Sequence, residues 1–159
     1  MFRIGHGTDV HRLVNNRKFI LGGIEIPSDV GLDGHSDADA LTHAIMDSIL
    51  GALGEPDIGH FFPPSDIKWK DASSIEMLKI VVSKMKEKKA SLVNLDCCVH
   101  LEAPKILKFV PQMKEKLAEI LEVKPEAVGI KATTFEGLGT IGRNEGIFVS
   151  CVALLALSH

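Results

Sequence analysis

The sequence predicts an α/β (α+β) two-layer sandwich with a mixed four-stranded sheet, helices on one face of that sheet, and a small hairpin. Strand-like segments lie at both ends of the chain, and segments with apolar residues at helical spacing lie between them. The order along the chain is strands, helix, helix, strand, helix, strand, strand. A length of 159 residues suits a single domain, residues 1–159, with one core. Because the helices would cover one face only, we expect oligomerisation through the sheet.

The N-terminal part of the chain predicts strands. Residues 2–4 begin one strand-like run, and residues 19–26 form another that two glycines interrupt. These runs predict a hairpin or an adjacent pair of strands, with the turn at Asn15 and Asn16.

The first predicted helix extends from about Asp37 to Leu53. Ser36 is a candidate N-cap, Asp39 places a negative charge in the first turn, and Gly54 is a suitable stop. The apolar residues at helical spacing are Ala38, Leu41, Ile45, Ile49 and Leu53.

Two further helices are predicted beyond a long loop. Residues 54–71 are polar and contain three prolines, which indicates the loop. A second helix is expected to begin at Ser73 and Ser74, and a third near Pro111, since proline is favoured in a first turn. Their buried residues would be Ile75, Leu78, Val82 and Met85 in the second helix, and Met113, Leu117, Ile120 and Leu121 in the third.

Three strands complete the predicted sandwich. Residues 92–101 alternate, which predicts Val93 and every second residue up to Leu101 on the buried face. Residues 128–132 form a short strand, and residues 146–157 form a long apolar strand.

Composition and charge exclude several classes of protein. The chain is 45% hydrophobic and 25% charged with a net charge of −3, so it lacks the basic character typical of nucleic-acid binding. The longest apolar run, residues 146–157, is shorter than the roughly 20 residues of a membrane-spanning helix, and no signal peptide is evident. Cys97, Cys98 and Cys151 lack metal-binding spacing and are expected to be reduced. We therefore expect a cytoplasmic protein without nucleic-acid or membrane partners.

Three residues predict a divalent-metal site. Asp9 and His11 are two apart in an extended segment, so they would project together while Val10 points to the core. His43, on the first helix, is the best candidate for a third ligand, and zinc accepts this donor set while keeping a fourth position open. Spacing alone leaves the alternative open, because Asp-x-His occurs by chance and a single histidine is often structural.

Two other segments suit phosphate binding. His35 and Ser36 lie at the expected start of the first helix, where backbone N–H groups favour anions. Thr133, Thr134 and Glu136 leave a strand and precede a glycine-rich segment with Arg143 just beyond it. The alternatives are that Ser36 only caps a helix and that the glycines form plain turns.

Four segments together closely resemble one enzyme family. They read RIGHGTDVHRL, GHSDAD, DIG and KATT, and they begin at Arg3, Gly34, Asp57 and Lys131. In this order they resemble the 2-C-methyl-D-erythritol 2,4-cyclodiphosphate synthases of the non-mevalonate isoprenoid pathway, and the resemblance extends to Leu155.

The resemblance implies a homotrimer with active sites between neighbouring subunits, and it implies a reaction. The 2-phosphate of 4-diphosphocytidyl-2-C-methyl-D-erythritol 2-phosphate would attack the β-phosphate of the same molecule. A cyclic diphosphate would form and CMP would leave. Such a reaction needs two anionic groups brought together and their charge stabilised, so cations, neutral donors and positioning would dominate catalysis.

The family's residue roles transfer to matching positions. The resemblance implies Zn²⁺, one per subunit, on Asp9, His11 and His43, and a second cation, Mg²⁺ or Mn²⁺, on Glu136. It implies that His35 and Thr134 polarise the reacting phosphates. All the substrate contacts that it implies are Asp9, Val10, His11, His35, Ser36, Asp57, Ile58, Gly59, Phe62, Pro63, Ser65, Asp66, Leu101, Glu102, Ala103, Pro104, Lys105, Ile106, Leu107, Ala132, Thr133, Thr134, Phe135, Glu136 and Arg143.

The chain departs from the family pattern at two places. Thr8 and Thr140 stand where members often have Phe, which lines an apolar cavity on the trimer axis that can hold an isoprenoid diphosphate. Losing two aromatic walls removes much apolar contact there, so we expect weak isoprenoid binding. The loop from Phe62 to Ile67 also differs, with Pro64 in place of the family's Asp.

Two other functions compete with the synthase interpretation. A zinc phosphohydrolase would use metal-bound water and release CMP without a cyclic product. A non-catalytic trimer would only bind nucleotides or isoprenoid diphosphates.

Overall fold

Residues 1–158 are described by a computed structural model; His159, the last residue of the predicted domain, lies outside the described residues. Two sheets and one layer of helices make up the structure. The strands are β1 (Phe2–Asn15), β2 (Phe19–Leu21), β3 (Ile24–Ile26), β4 (Val30–Leu32), β5 (Ala90–His100), β6 (Val128–Thr133) and β7 (Gly146–Leu157). The helices are α1 (Ala40–Leu53), α2 (Ile58–Phe61), α3 (Ser74–Glu87), α4 (Val110–Leu121) and α5 (Gly139–Gly142), with 3₁₀ turns at Ile67–Trp69, Leu107–Phe109 and Pro125–Ala127.

The main sheet has the strand order β4-β1-β7-β5-β6. Strand β6 runs parallel to β5, and the other neighbours are antiparallel, so the sheet is mixed. The predicted two-layer sandwich with helices on one face is confirmed. The predicted number of strands is wrong, because the short β4 pairs with the end of β1 and makes a fifth strand.

The small hairpin exists, but its turn is not at Asn15 and Asn16. Strands β2 and β3 pair antiparallel, with Leu21 opposite Ile24, so the turn is at Gly22 and Gly23. Asn15 ends β1 and pairs with β4 instead, since β1 belongs to the main sheet.

A β-bulge interrupts the alternation of β5. The pairing of β5 with β7 shifts between Leu92 and Asn94, and Val93 is 40% exposed. The prediction that Val93 is buried is therefore wrong, because the extra residue reverses the side-chain alternation. From Leu95 onward the buried residues follow the predicted pattern.

Helix α1 lies against β1 and β7 and is buried along nearly its whole length. It begins at Ala40 with Asp39 as N-cap, not at Asp37 with Ser36 as cap, and Gly54 ends it as predicted. Gly5 and Gly7 of β1 allow a close approach, because a methyl group at Gly5 would lie 1.9 Å from the backbone oxygen of Ser48.

The other face of the main sheet is not covered by any element of residues 1–158. Phe2, Ile4, Val10 and Val152 lie there with 69%, 71%, 64% and 41% of their surfaces exposed. The expectation that Val10 points to the core is wrong, because Asp9 and His11 share the α1-facing side of β1 with the two glycines. Among these residues, no helix combines the length and apolar character that a bilayer span requires.

Candidate metal centre and adjoining cavities

Asp9, His11 and His43 converge at one end of α1. Nε2 of His11 lies 2.8 Å from Oδ2 of Asp9, and Nδ1 of His43 lies 3.2 Å from the same oxygen. The two nitrogens are 3.3 Å apart. In residues 1–158 these are the only three metal-binding side chains whose ligand atoms cluster, all within 4.8 Å of one another.

A backbone carbonyl sets the proton position of His11. Nδ1 of His11 lies 2.6 Å from the carbonyl oxygen of Asp33, which only accepts, so Nδ1 carries the proton and donates it. In the neutral ring, Nε2 of His11 therefore faces Asp9 with a lone pair. Outer partners of this kind orient the histidine ligands of metal sites.

His43 is buried, and its other ring nitrogen contacts two hydroxyl groups. Nε2 of His43 lies 2.9 Å from Oγ of Ser74 and 3.2 Å from Oγ of Ser36, so Nδ1 faces Asp9. One carboxylate oxygen and two imidazole nitrogens thus point at a common volume. Lone pairs converge in this way around a cation, and O, N and N donors suit zinc, so the residues present fit the metal that the sequence predicts.

Asp9 and His11, the two metal-site residues on β1, shift each other's pKa. Burial acts to raise the pKa of Asp9, but hydrogen bonds and charge from His11 and His43 outweigh it and lower the pKa. Burial acts to lower the pKa of His11, but the hydrogen bond to Asp9 and its charge outweigh burial and raise the pKa. Each group therefore stabilises the charged form of the other.

A mostly apolar cavity of about 160 Å³ adjoins this cluster. Its lining includes predicted residues of the metal site and of the substrate site, namely His11, His35, Ser36, His43, Ile58, Gly59 and Phe62. Pro64, Trp69 and Met77 complete the lining and were not predicted. Trp69 packs edge-on against Phe62 at 4.8 Å between ring centres, so the predicted loop has an apolar anchor.

The predicted loop of residues 54–71 contains the short helix α2 at this cavity. Asp57 is its N-cap, and its Oδ1 accepts from the backbone N–H of His60 at 3.2 Å. Asp47, one turn after His43 on α1, accepts from the backbone N–H of Ile58 at 2.8 Å. Asp47 therefore ties α2 to the helix that carries His43, a contact that the sequence did not predict. The remaining predicted loop residues, Pro63, Ser65 and Asp66, follow α2 without lining the cavity.

A second cavity, of about 200 Å³, lies beside β6, the edge strand of the main sheet that is farther from β1. Its lining is Leu101, Pro104, Lys105, Ile106, Leu107, Ala132, Thr133 and Thr134, and all eight are among the predicted substrate contacts. It shares no residue with the first cavity. Strands β7 and β5 separate β1 from β6, so roughly 14 Å lies between them at the usual strand spacing.

The other predicted residues border this second cavity or lie beyond it. Oε1 of Glu102, which follows Leu101 and precedes Ala103, accepts from the backbone N–H of Phe135 at 2.9 Å. Oγ1 of Thr134 accepts from the N–H of Glu136 at 3.1 Å, and Glu136 is exposed and does not join the Asp9 cluster.

Val10 and Arg143 are not brought to either cavity. Arg143 pairs with Glu145 at 2.7 Å. Val10 and Thr140 instead line a third cavity, of about 240 Å³, at the open face of the sheet.

The YgbB family model matches residues 2–156. A curated 2-C-methyl-D-erythritol 2,4-cyclodiphosphate synthase from Synechococcus elongatus is 53% identical over 154 residues, which is 97% of this chain and 96% of the relative.

The bifunctional IspDF of Campylobacter jejuni superposes with a TM-score of 0.95 at 40% identity over 99% of this chain, which spans 43% of that longer chain. IspF of Plasmodium falciparum, in a complex with CDP, superposes with a TM-score of 0.87 at 31% identity, covering 99% of this chain and 97% of that chain. The chain therefore belongs to the YgbB family, whose curated relatives are 2-C-methyl-D-erythritol 2,4-cyclodiphosphate synthases.

Proposed function

We propose that the chain converts 4-diphosphocytidyl-2-C-methyl-D-erythritol 2-phosphate to 2-C-methyl-D-erythritol 2,4-cyclodiphosphate and releases CMP. An oxygen of the 2-phosphate attacks the β-phosphorus, the bond from that phosphorus to the CMP oxygen breaks, and CMP leaves with the electron pair. The observation that carries the proposal is the convergence of Asp9, His11 and His43 beside a cavity that contains His35. The full-length similarity to curated synthases supports the same reaction.

Asp9, His11 and His43 would hold Zn²⁺, one ion per subunit. A bound zinc ion would polarise an oxygen of the diphosphate and neutralise part of its charge. The hydrogen bond from His11 to the Asp33 carbonyl places the proton of the neutral ring on Nδ1, so Nε2 is the nitrogen available to the metal. No metal-bound hydroxide is required, because the nucleophile is already a phosphate oxygen.

His35 and Ser36 would bind the phosphates next to this metal site. Both line the cavity that contains His11 and His43. Arg17 orients this loop, because its guanidinium donates to the backbone oxygens of Gly34 and Ser36, both at 2.9 Å. Neutral hydrogen-bond donors held in such a fixed loop can stabilise the charge that develops on the phosphate oxygens.

Helix α2 would bind the sugar-alcohol part of the substrate. Asp57, Ile58 and Gly59 lie at its start, and Ile58 and Gly59 face the cavity beside the metal site. Phe62, Pro63, Ser65 and Asp66 follow, and we expect them to close over the bound substrate. Holding both phosphates of one molecule in reach of each other is the main contribution expected from this segment.

The second cavity would bind cytidine. Its lining is largely apolar, with Lys105, Thr133 and Thr134 as polar groups, which suits a flat base with a few hydrogen-bonding edges. Thr134 and Glu136 would act on the diphosphate, with Glu136 holding Mg²⁺ or Mn²⁺. Two observations support this assignment: Glu136 is exposed, and the related IspF of Plasmodium falciparum is in a complex with CDP, which carries a diphosphate.

A homotrimer would combine the two cavities of neighbouring subunits into one active site. Within one chain the cavities have no residue in common, and two strands separate them. The open face of the sheet carries large exposed apolar side chains such as Ile4 and Val10. Exposed apolar surface of this kind marks sites of protein association.

Phosphorus NMR of the reaction products tests this proposal. The purified chain with Zn²⁺ and Mg²⁺ is expected to turn the substrate into one cyclic diphosphate and CMP. A mixture of linear phosphates without the cyclic product would indicate a zinc phosphohydrolase. CMP binding by calorimetry without turnover that metal restores would indicate a non-catalytic module.

A further inference from the structure

A buried chain of hydrogen bonds extends behind the metal-site cluster, from His43 through Ser74 to Asp37. The hydroxyl of Ser74 lies 2.9 Å from Nε2 of His43, and it donates to Oδ1 of Asp37 at short range. The backbone N–H of Ser74 donates to Oδ2 of the same carboxylate at 3.0 Å. Ser74 is completely buried, so water does not compete for these bonds.

The carboxylate fixes the direction of this chain. An ionised Asp37 accepts and does not donate, so the single hydroxyl proton of Ser74 points toward Asp37. The hydroxyl oxygen then offers only lone pairs to His43, and Nε2 of that ring must carry the proton. Nδ1, the nitrogen that faces Asp9, is left as a lone pair.

We propose that Ser74, held in place by Asp37, is a positioning residue that keeps Nδ1 of His43 free to bind a divalent cation. Ser74 touches neither the cation nor the substrate, and it acts through the ring of His43. The inference rests on the proposed metal site and extends it to two residues outside it.

Two backbone hydrogen bonds hold the segments that carry Asp37 and Ser74 together. The N–H of Asp37 donates to the backbone oxygen of Ala72 at 3.1 Å, and the N–H of Asp71 donates to the backbone oxygen of His35 at 2.9 Å. The loop before α1 is thereby paired with the segment that leads into α3. Ser36 also lies 3.2 Å from Nε2 of His43, but no described carboxylate orients its hydroxyl within residues 1–158.

Zinc affinity, measured by competition with a chromophoric chelator, tests the proposal on the full chain. Loss of an outer partner typically weakens metal binding about 10- to 100-fold, and we expect that loss for Ser74→Ala. Ser73→Ala removes the neighbouring, exposed hydroxyl and should bind zinc as the unmodified chain does. Asp37→Asn, which can accept from only one of the two Ser74 donors, should fall between them. Affinity for Ser74→Ala within about threefold of the unmodified chain would overturn the proposal.

Nitrogen NMR of the metal-free, unmodified chain gives a second and independent result. Above the titration of its histidines, His43 is expected as the tautomer protonated at Nε2, and in Ser74→Ala that preference should weaken. A ring protonated at Nδ1 in the unmodified chain would overturn the proposal, even if Ser74→Ala fails to fold. If the unmodified chain binds no zinc, the proposed metal site and this inference are both overturned, and the tautomer then shows separately whether Ser74 orients the ring of His43.

Discussion

A methyl group built on Gly7 would lie 2.2 Å from the backbone oxygen of Ala44, the residue that follows His43. The backbones of β1 and α1 are therefore in direct contact at the metal site. This contact brings a histidine on a helix within reach of an aspartate two residues further along β1. The close contact between β1 and α1 therefore explains the two glycines of the Gly-His-Gly pattern before Asp9, which metal binding alone does not explain.

Gly7→Ala is predicted to push α1 away from β1 and weaken zinc binding. The new methyl group would also lie 2.6 Å from the backbone nitrogen of Ser48, and backbone atoms cannot move aside cheaply. We expect a zinc affinity lowered at least about tenfold and a free energy of unfolding lowered by about 1–3 kcal/mol.

Gly51→Ala is the matched control for that variant. Gly51 lies on α1, the helix that Gly7 contacts, and a methyl group there would be 3.6 Å from its nearest neighbour, an ordinary contact. Alanine in a helix interior should be neutral or slightly stabilising. Chelator competition measures the zinc affinity of both variants, and denaturant unfolding measures their stability. Equal zinc affinity and equal stability in the two variants would contradict the close-contact explanation.

The spacing of apolar residues, together with the glycines and prolines that end helices and strands, was enough to predict much of the fold. Strand β7 begins and ends where its apolar run does, and α1 ends at Gly54, because both signals are local. The Asp9-x-His11 spacing placed both side chains on one side of β1 for the same reason.

Non-local contacts account for what the sequence did not predict. Val93 is exposed because a bulge depends on the register with β7, which the sequence of β5 does not specify. Val10 faces outward because α1 lies on the other side of β1, and alternation alone does not say which face is covered. The serine pair at the start of α3 suggested only a cap, so the contact from Ser74 to His43, 31 residues away, carried no sequence signal.

His11→Ala and His43→Ala are each predicted to lose bound zinc. Each change removes one of three converging ligand atoms, and we expect at least about a 100-fold loss of affinity, since these are ligands and not outer partners. Secondary structure should persist, because neither ring is part of the apolar core. Metal analysis after dialysis, with circular dichroism, measures both. The exposed His60→Ala should keep its zinc, and full zinc occupancy in His11→Ala or His43→Ala would contradict the ligand assignment.

Asp39→Ala is predicted to be strongly destabilising. The fully buried carboxylate accepts from the backbone N–H groups of Gly22, Gly23 and Thr42 and from the Thr42 hydroxyl, at 2.7–3.0 Å. Alanine would leave these donors without their acceptor at a cost of about 1–3 kcal/mol each when buried, so we expect a loss of at least about 3 kcal/mol. Denaturant unfolding at equal protein concentration measures it. The exposed Asp29→Ala is the control, and a loss below about 1 kcal/mol in Asp39→Ala would show that water replaces the carboxylate.

Ile4→Glu is predicted to dissociate the proposed trimer. Ile4 is 71% exposed on the open face of the sheet and is paired across the strands with Leu154. Burying an isoleucine stabilises an interface by about 1.5–3 kcal/mol per side chain, and a buried unpaired charge opposes association further. Light scattering should show the mass falling from three chains toward the 17.3 kDa of one chain.

Ile80→Glu is the control for association, because Ile80 is 48% exposed on α3, in the layer on the other side of the sheet. It should remain trimeric. In Ile4→Glu, cyclisation should be lost while zinc binding remains, since one chain supplies all three metal-site residues but, by the proposal, only half of the active site. Full cyclisation activity in a monomeric Ile4→Glu would mean that both cavities of a single chain serve one substrate, and the intersubunit active site would be wrong.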